Sequence, residues 1–320
     1  MIQRMVLGIA TLLALAVLVL ASGLAWAHYA IRQERRPLPG VNPILAGGAQ
    51  NGPQRVYYIN TASQEMPRSA VLDPQADPWP HESYVMSHPS FVIEWADGRL
   101  MLVDAGMTRA GAQEFGKPIE LMASGQPIRA HASVAERLGD ARTRLAAAVF
   151  THLHADHVGG IHELCAVSQP ITVFMTPAQI ERPNYTTRPG WKLLRESPCV
   201  QPRALGSEPL VAIPGFPGVY VVAAGGHTPG SQIVVVHLAD GDKFRRIAFV
   251  GDIANHIDGI TYNVPKPFLY SLLVVPEDRV RLEELRRWLR TLRDSHGIEL
   301  IVAHDQLALE RSRIPLWAGP

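Results

Sequence analysis

The longest unbroken apolar run of the chain lies near its start. It extends from Met5 to Ala27, with Arg4 before it and Arg32, Arg35 and Arg36 after it. An uncharged stretch of that length can cross a bilayer as a helix. Ala25-Trp26-Ala27 also has the small-x-small form of a signal cleavage site. Residues 1–27 are therefore expected to be a signal peptide or a membrane anchor, with the rest exported to the periplasm or the exterior. Basic residues on both sides leave orientation open. Residues 28–54 are rich in Pro and Gly and read as a linker, which leaves a domain over 55–320.

Within that domain short apolar strands alternate with helical periodicities. Val56–Ile59, Ala146–Phe150, Ile171–Phe174, Val219–Ala223, Ile233–Leu238, Ile247–Val250 and Glu299–Ala303 read as strands. Phe91–Trp95 and Leu100–Val103, joined through Ala-Asp-Gly, read as a hairpin. Ser133-Val-Ala-Glu136 is a capping box, and Thr176-Pro177 opens another helix. Val280, Leu282, Leu285, Leu289 and Leu292 give a helix over 276–295 one apolar stripe. The mixture predicts a layered α/β domain.

Composition adds little and excludes something. The 320 residues carry a formal net charge of +1, so a nucleic-acid partner is not expected. Two cysteines, Cys165 and Cys199, are either a disulfide of an oxidising compartment or two buried thiols.

The chemistry is concentrated in Thr151-His152-Leu-His154-Ala-Asp156-His157-Val-Gly159-Gly160, directly after the strand 146–150. Four metal-capable side chains in six positions at a strand end can converge on one cavity. Imidazole and carboxylate are good zinc ligands. Gly159 and Gly160 are expected to permit a tight turn.

That motif resembles the metallo-β-lactamase superfamily. Four further signatures follow in the family's order: Asp104 in Leu-Val-Asp-Ala-Gly, His227 in Gly-Gly-His-Thr-Pro-Gly, Asp252 in Val-Gly-Asp, and His304 in Val-Ala-His-Asp. The resemblance covers about residues 55–306 and implies an αββα sandwich. It implies that His152, His154 and His227 hold one divalent ion, that Asp156, His157 and His304 hold a second, and that Asp252 bridges both. Zinc is the expected metal, with iron or manganese as alternatives. Asp156 and Asp252 are the catalytic candidates, Asp156 through steering the nucleophile. Asp104 and Asp305 are expected to orient ligand histidines. His81, His88, His162, His237 and His256 have no such context and read as ordinary surface or core histidines.

The resemblance also narrows the reaction. Dedicated β-lactamases of the fold usually carry Cys or Ser in place of the bridging Asp252. The segments around His227 and His304 look most like acyl-homoserine lactonases. The expected activity is metal-bound hydroxide attacking a lactone or small carboxylic ester of a small-molecule substrate. The alternatives are a glyoxalase II-like thioesterase, a β-lactamase-like hydrolase or a mononuclear iron sulfur dioxygenase. A non-enzymatic binding module is disfavoured by the intact ligand set. Tyr185, Tyr262 and Tyr270 are candidates for supporting the oxyanion, and residues 166–205 for part of the pocket wall. Oligomeric state is not legible in the sequence.

Overall fold

A computed structural model of the chain describes residues 2–46, 51–166, 169–241 and 243–319. Residues 47–50 of the expected linker and 167–168 of the expected pocket wall lie outside the described residues.

Twelve strands are described: β1 Arg55–Pro67, β2 Ser83–Glu94, β3 Leu100–Val103, β4 Arg129–Ala130, β5 Leu145–Val149, β6 Ile171–Met175, β7 Val200–Ala204, β8 Leu210–Ala212, β9 Val219–Ala223, β10 Gln232–Asp240, β11 Lys243–Gly251 and β12 Glu299–Val302. They form two sheets, in the orders β4-β1-β2-β3-β5-β6-β7 and β12-β11-β10-β9-β8. The expected hairpin is β2–β3, with Phe91 opposite Val103 and Glu94 opposite Leu100.

The period-2 alternation of strand side chains builds three apolar layers. In β3, Met101 and Val103 face the layer between the sheets, where they join Val149, Phe174, Val221, Val234 and Phe249. Leu100 and Leu102 face the other way, into a layer closed by Val134, Leu138, Ile161, Leu164 and Leu194 of covering helices. On the far side of the second sheet, Val235, Ala248 and Val250 meet Leu282, Leu285, Leu289 and Leu292 of the helix Arg279–His296. The result is helix, sheet, sheet, helix, the αββα sandwich.

Strand direction puts the chemistry on one rim. β3, β5 and β6 are parallel, as are β11 and β12. β9 and β11 both run antiparallel to β10, and so share a direction. Asp104, His152, His227, Asp252 and His304 each follow the C-terminal end of β3, β5, β9, β11 or β12.

One local reading needs correction. Val280 is 55% exposed, because it lies two positions before Leu282 and therefore far round the helix from the 282–285–289–292 stripe. Gly159 and Gly160 form the expected turn, between the helices Ala155–Val158 and Ile161–Leu164, with negative φ (−54° and −78°). They also allow close approach: a Cβ on Gly160 would overlap the Ala105 carbonyl, and one on Gly159 would sit 2.6 Å from the Ala155 carbonyl oxygen.

The apolar run forms the helix Ile2–Arg32, long and apolar enough to cross a membrane. Its last turns rest on the domain. Leu24, Ala27, His28 and Ile31, at helical spacing, are covered or partly covered, as is Ala30. Beyond it, Arg35 makes a two-pronged ion pair with Asp278 (Nε–Oδ2 2.5 Å, Nη2–Oδ1 2.7 Å), and Glu34 Oε2 accepts from the Gly230 amide at 2.8 Å. Ile44, in the helix Val41–Ala46, is buried in the outer layer of the second sheet.

Candidate metal centre

The seven residues selected as ligands converge. Donor atoms of His152, His154, His227 and Asp252 lie within 4.8 Å of one another, as do those of His157, Asp252 and His304. Asp252 belongs to both groups: its Oδ2 is 3.5 Å from His227 Nε2, and its Oδ1 is 3.3 Å from His157 Nε2 and 3.1 Å from His304 Nε2. A third group brings His88 to Asp156 and His304. All of these side chains are buried except His154, which is partly exposed.

The backbone that presents them is tightly specified. Asp104 occupies the left-handed region (φ 58°), uncommon for a non-glycine residue. Its carboxylate is fixed there, accepting from the Thr151 amide at 2.7 Å and the Thr151 hydroxyl at 2.8 Å. Oδ2 also lies 2.8 Å from His157 Nδ1, which leaves Nε2 of that ring facing the cluster. His304 Nδ1 is 2.7 Å from the Ser87 carbonyl, with the same consequence. The segment from Asn184 to Gly190 sits on the ligand loop. Thr186 Oγ1 is 3.0 Å from His154 Nε2, and a Cβ on Gly190 would overlap the Leu153 carbonyl.

Three supporting residues escaped the sequence reading. His88, taken as an ordinary histidine, is buried with Nδ1 3.2 Å from Asp156 Oδ2, and its ring centroid is 4.9 Å from that of His304. Glu277 Oε1 lies 2.6 Å from His227 Nδ1, and Lys266 Nζ lies 2.8 Å from the same oxygen. Lys266 also donates to the Asp252 carbonyl at 2.6 Å, tying two ligand loops together. No motif marks these residues: His88 reads as one polar position in a strand, and Pro276-Glu277-Asp278 as a helix start. Asp305, by contrast, orients no ligand histidine by a hydrogen bond. It caps the helix Gln306–Arg311 through the Ala308 amide (2.9 Å) and accepts from the Ile257 amide (3.1 Å). It also lies 3.4 Å from His256. His256 joins a buried network with Arg68, and Arg68 in turn pairs with Asp77 and Asp258.

The electrostatics suit cations. Burial pushes His154 down to about 3, with His227 adding to the effect, so this imidazole is a neutral donor. Burial also lowers His88, to about 4, against the pull of Asp156. For His157, burial acts downward but Asp156, Asp104 and Asp252 outweigh it and raise the ring well above the usual histidine range. That is the response of a site with an excess of carboxylate charge. Nε2 of His152 and of His227 are buried without a hydrogen-bond partner among the described residues. Buried, unpartnered acceptors beside clustered carboxylates fit divalent metal ions, and histidine with aspartate suits zinc, iron or manganese.

Cys165 and Cys199 are joined by a disulfide, with Cα atoms 5.1 Å apart. The bond links the helix Ile161–Leu164, which follows the ligand motif, to the start of β7.

The sequence profile of the metallo-beta-lactamase superfamily matches residues 83–297. The chain belongs to that superfamily. No curated protein matches it in sequence. Among solved structures, it is similar to an N-acyl homoserine lactone hydrolase with the product N-hexanoyl-L-homoserine bound at the catalytic metal center. There the TM-score is 0.59 at 16% identity, over 82% of this chain and 98% of that one. A B. thuringiensis AiiA mutant with N-decanoyl-L-homoserine at its active site gives the same TM-score, identity and coverage. A probable metal-dependent hydrolase from Staphylococcus aureus gives 0.53 at 14% identity, over 80% and 91%. At these identities the likeness is one of fold.

Proposed function

We propose that this protein is a dinuclear metal-dependent hydrolase, with zinc as the metal, acting on a lactone or other small carboxylic ester. The observation that carries the reading is the pair of donor groups meeting at Asp252. In this assignment His152, His154 and His227 hold one ion, Asp156, His157 and His304 the other, and Asp252 both. Ions held there would supply Lewis-acid chemistry, lowering the pKa of a bound water and polarising the carbonyl under attack.

The chain's own residues supply the rest. Asp156 is kept ionised, since His157 and His88 outweigh the effect of its burial and hold it below the usual carboxylate range. It takes the proton of the attacking water on a carboxylate oxygen and delivers it to the leaving alkoxide. His88 steadies that carboxylate through Nδ1. Of the three tyrosines, Tyr270 is best suited to donate to the carbonyl oxygen. Burial, with Glu277, Asp252 and Asp156 adding, raises its hydroxyl well above the ordinary value, so it stays protonated. Tyr185 instead points at the Leu273 and Val274 carbonyls, and Tyr262 meets Trp79 edge to face. Lactones are favoured over other esters by likeness of fold to homoserine lactone hydrolases, an argument by analogy.

We further propose that the N-terminal helix is retained as a membrane anchor of an exported enzyme. The contacts of Ala27, Ile31, Glu34 and Arg35 with the domain support this, as does the disulfide.

The test is turnover of acyl-homoserine lactones, aryl esters, a thioester and a β-lactam by the zinc-loaded protein, with metal content measured alongside. Lactone or ester turnover with two zinc ions per chain is expected, and His154→Ala should lose both activity and metal. A single bound iron with oxygen consumption would overturn the hydrolase reading. Dominant thioester or β-lactam turnover would overturn the substrate class.

A further inference from the structure

The segment between Lys266 and Glu277, both tied to the metal site, carries a cluster of apolar side chains outward. Phe268 is 56% exposed, Leu269 64%, Leu273 55% and Val274 51%. Leu273 and Val274 lie in a short π-helical turn, Tyr270–Val274, and Phe268 and Leu269 directly precede it; the turn is anchored by the buried Ser271, its hydroxyl donating to Glu277 Oε2. Four exposed apolar residues within seven positions are a concentration of the kind that marks an interaction surface.

What covers the patch is indicated by its neighbour. His28 Nε2 lies 3.0 Å from the Leu272 carbonyl oxygen, so the turn is fastened to the N-terminal helix one residue past the end of the uncharged run at Ala27. At 1.5 Å per residue that level is where a helix leaves the hydrocarbon. Trp26 and Tyr29 are exposed on the helix at the same level, 68% and 56%, as aromatic residues are at a bilayer interface. Arg32, at the helix end, and Arg36 beyond it are both exposed, where a membrane-crossing helix would meet lipid phosphates.

We propose that the turn 268–274 is a second membrane contact. In this arrangement Phe268, Leu269, Leu273 and Val274 dip into the outer part of the bilayer beside the anchor helix and hold the metal site against the lipid surface. The inference rests on the anchor reading of the N-terminal helix and is independent of the substrate. The same turn provides Tyr270, and Tyr185 packs its hydroxyl against the Leu273 and Val274 carbonyls. A bilayer contact here therefore fixes residues at the rim of the catalytic site.

The full chain is reconstituted in phosphatidylcholine–phosphatidylglycerol vesicles with one spin label at a time, on cysteines introduced at 268, 269, 273 or 274. The native cysteines are both in the disulfide. Leu15, mid-helix, and Leu121, 86% exposed on the domain, provide reference labels. The expected result is an oxygen-to-nickel-chelate accessibility ratio at the four positions several-fold above that at Leu121. Ratios equal to that at Leu121 would overturn the proposal, and with Leu15 still lipid-exposed the anchor reading would survive. Protection from both reagents would also overturn it, pointing to a protein partner or a second copy. An aqueous Leu15 would sink the anchor reading, while labels at 268–274 would still report the patch directly. Each substitution is at an exposed position, and an unchanged circular dichroism spectrum verifies folding.

Discussion

Glu277 Oε1 sits 2.6 Å from Nδ1 of His227, and the same oxygen receives Lys266 Nζ at 2.8 Å. A buried carboxylate held at about 2, burial notwithstanding, by Lys266 and His227 is a fixed acceptor. It requires the Nδ1–H tautomer and turns Nε2 of His227 inward as a lone pair. Glu277→Gln keeps the shape but loses that charge. Metal affinity is expected to fall about 10- to 100-fold, the range seen when such supporting groups are removed. Competition with a chromogenic chelator measures it. Affinity unchanged within twofold would show that Glu277 serves only to neutralise Lys266.

His88 acts on Asp156 in a comparable way, from the opposite side of the site. His88→Phe fills the space but removes the donor 3.2 Å from Asp156 Oδ2. Hydrolysis is expected to drop by roughly 10- to 100-fold, while His88→Asn retains more of the rate because it can still donate. Equal rates in the two variants would assign His88 a packing role against Phe115 and His304.

Glu34 predicts a pH dependence of stability. Burial raises its carboxyl to about 7 from 4.5, although the Gly230 amide, Arg182 and Arg36 act the other way. An acid whose folded value is raised binds its proton more tightly in the native state. Its stabilising effect is therefore complete below pH 4.5 and is lost as pH rises through about 7. Relative to Glu34→Gln, the wild-type protein should lose on the order of 2–3 kcal/mol across that window. Urea midpoints at pH 4.5 and 8 for both proteins measure the difference. Parallel pH profiles would show that folding does not shift the Glu34 carboxyl.

The disulfide closes a loop of 34 positions beside the ligand motif. Cys165→Ser with Cys199→Ser should cost about 3–4 kcal/mol by restoring freedom to the unfolded chain. Denaturant unfolding of the oxidised, metal-loaded protein and of the double variant would show it. A difference under about 1 kcal/mol would mean that folded-state contacts around β7 carry the segment without the bond.

Much of the architecture is local in origin, and so was legible in the chain. Short continuous apolar runs define β9, β10 and β11, the Ser133 capping box forms as expected, and the stripe from Leu282 to Leu292 seats its helix. The ligand candidates came from the resemblance of their motifs to the superfamily, and each motif lies just beyond a strand end. The structure alone decided what depends on chain segments distant in sequence. Glu277 reaches His227 across 50 residues, His88 reaches Asp156 across 68, and Arg35 reaches Asp278 across 243. Side-chain periodicity reports which face of an element is buried, not which polar group of another element meets it. For that reason the candidate ligands could be named from their motifs, while the carboxylate and lysine beside them, and the place of the N-terminal segment against the domain, emerged only from the packed sheets.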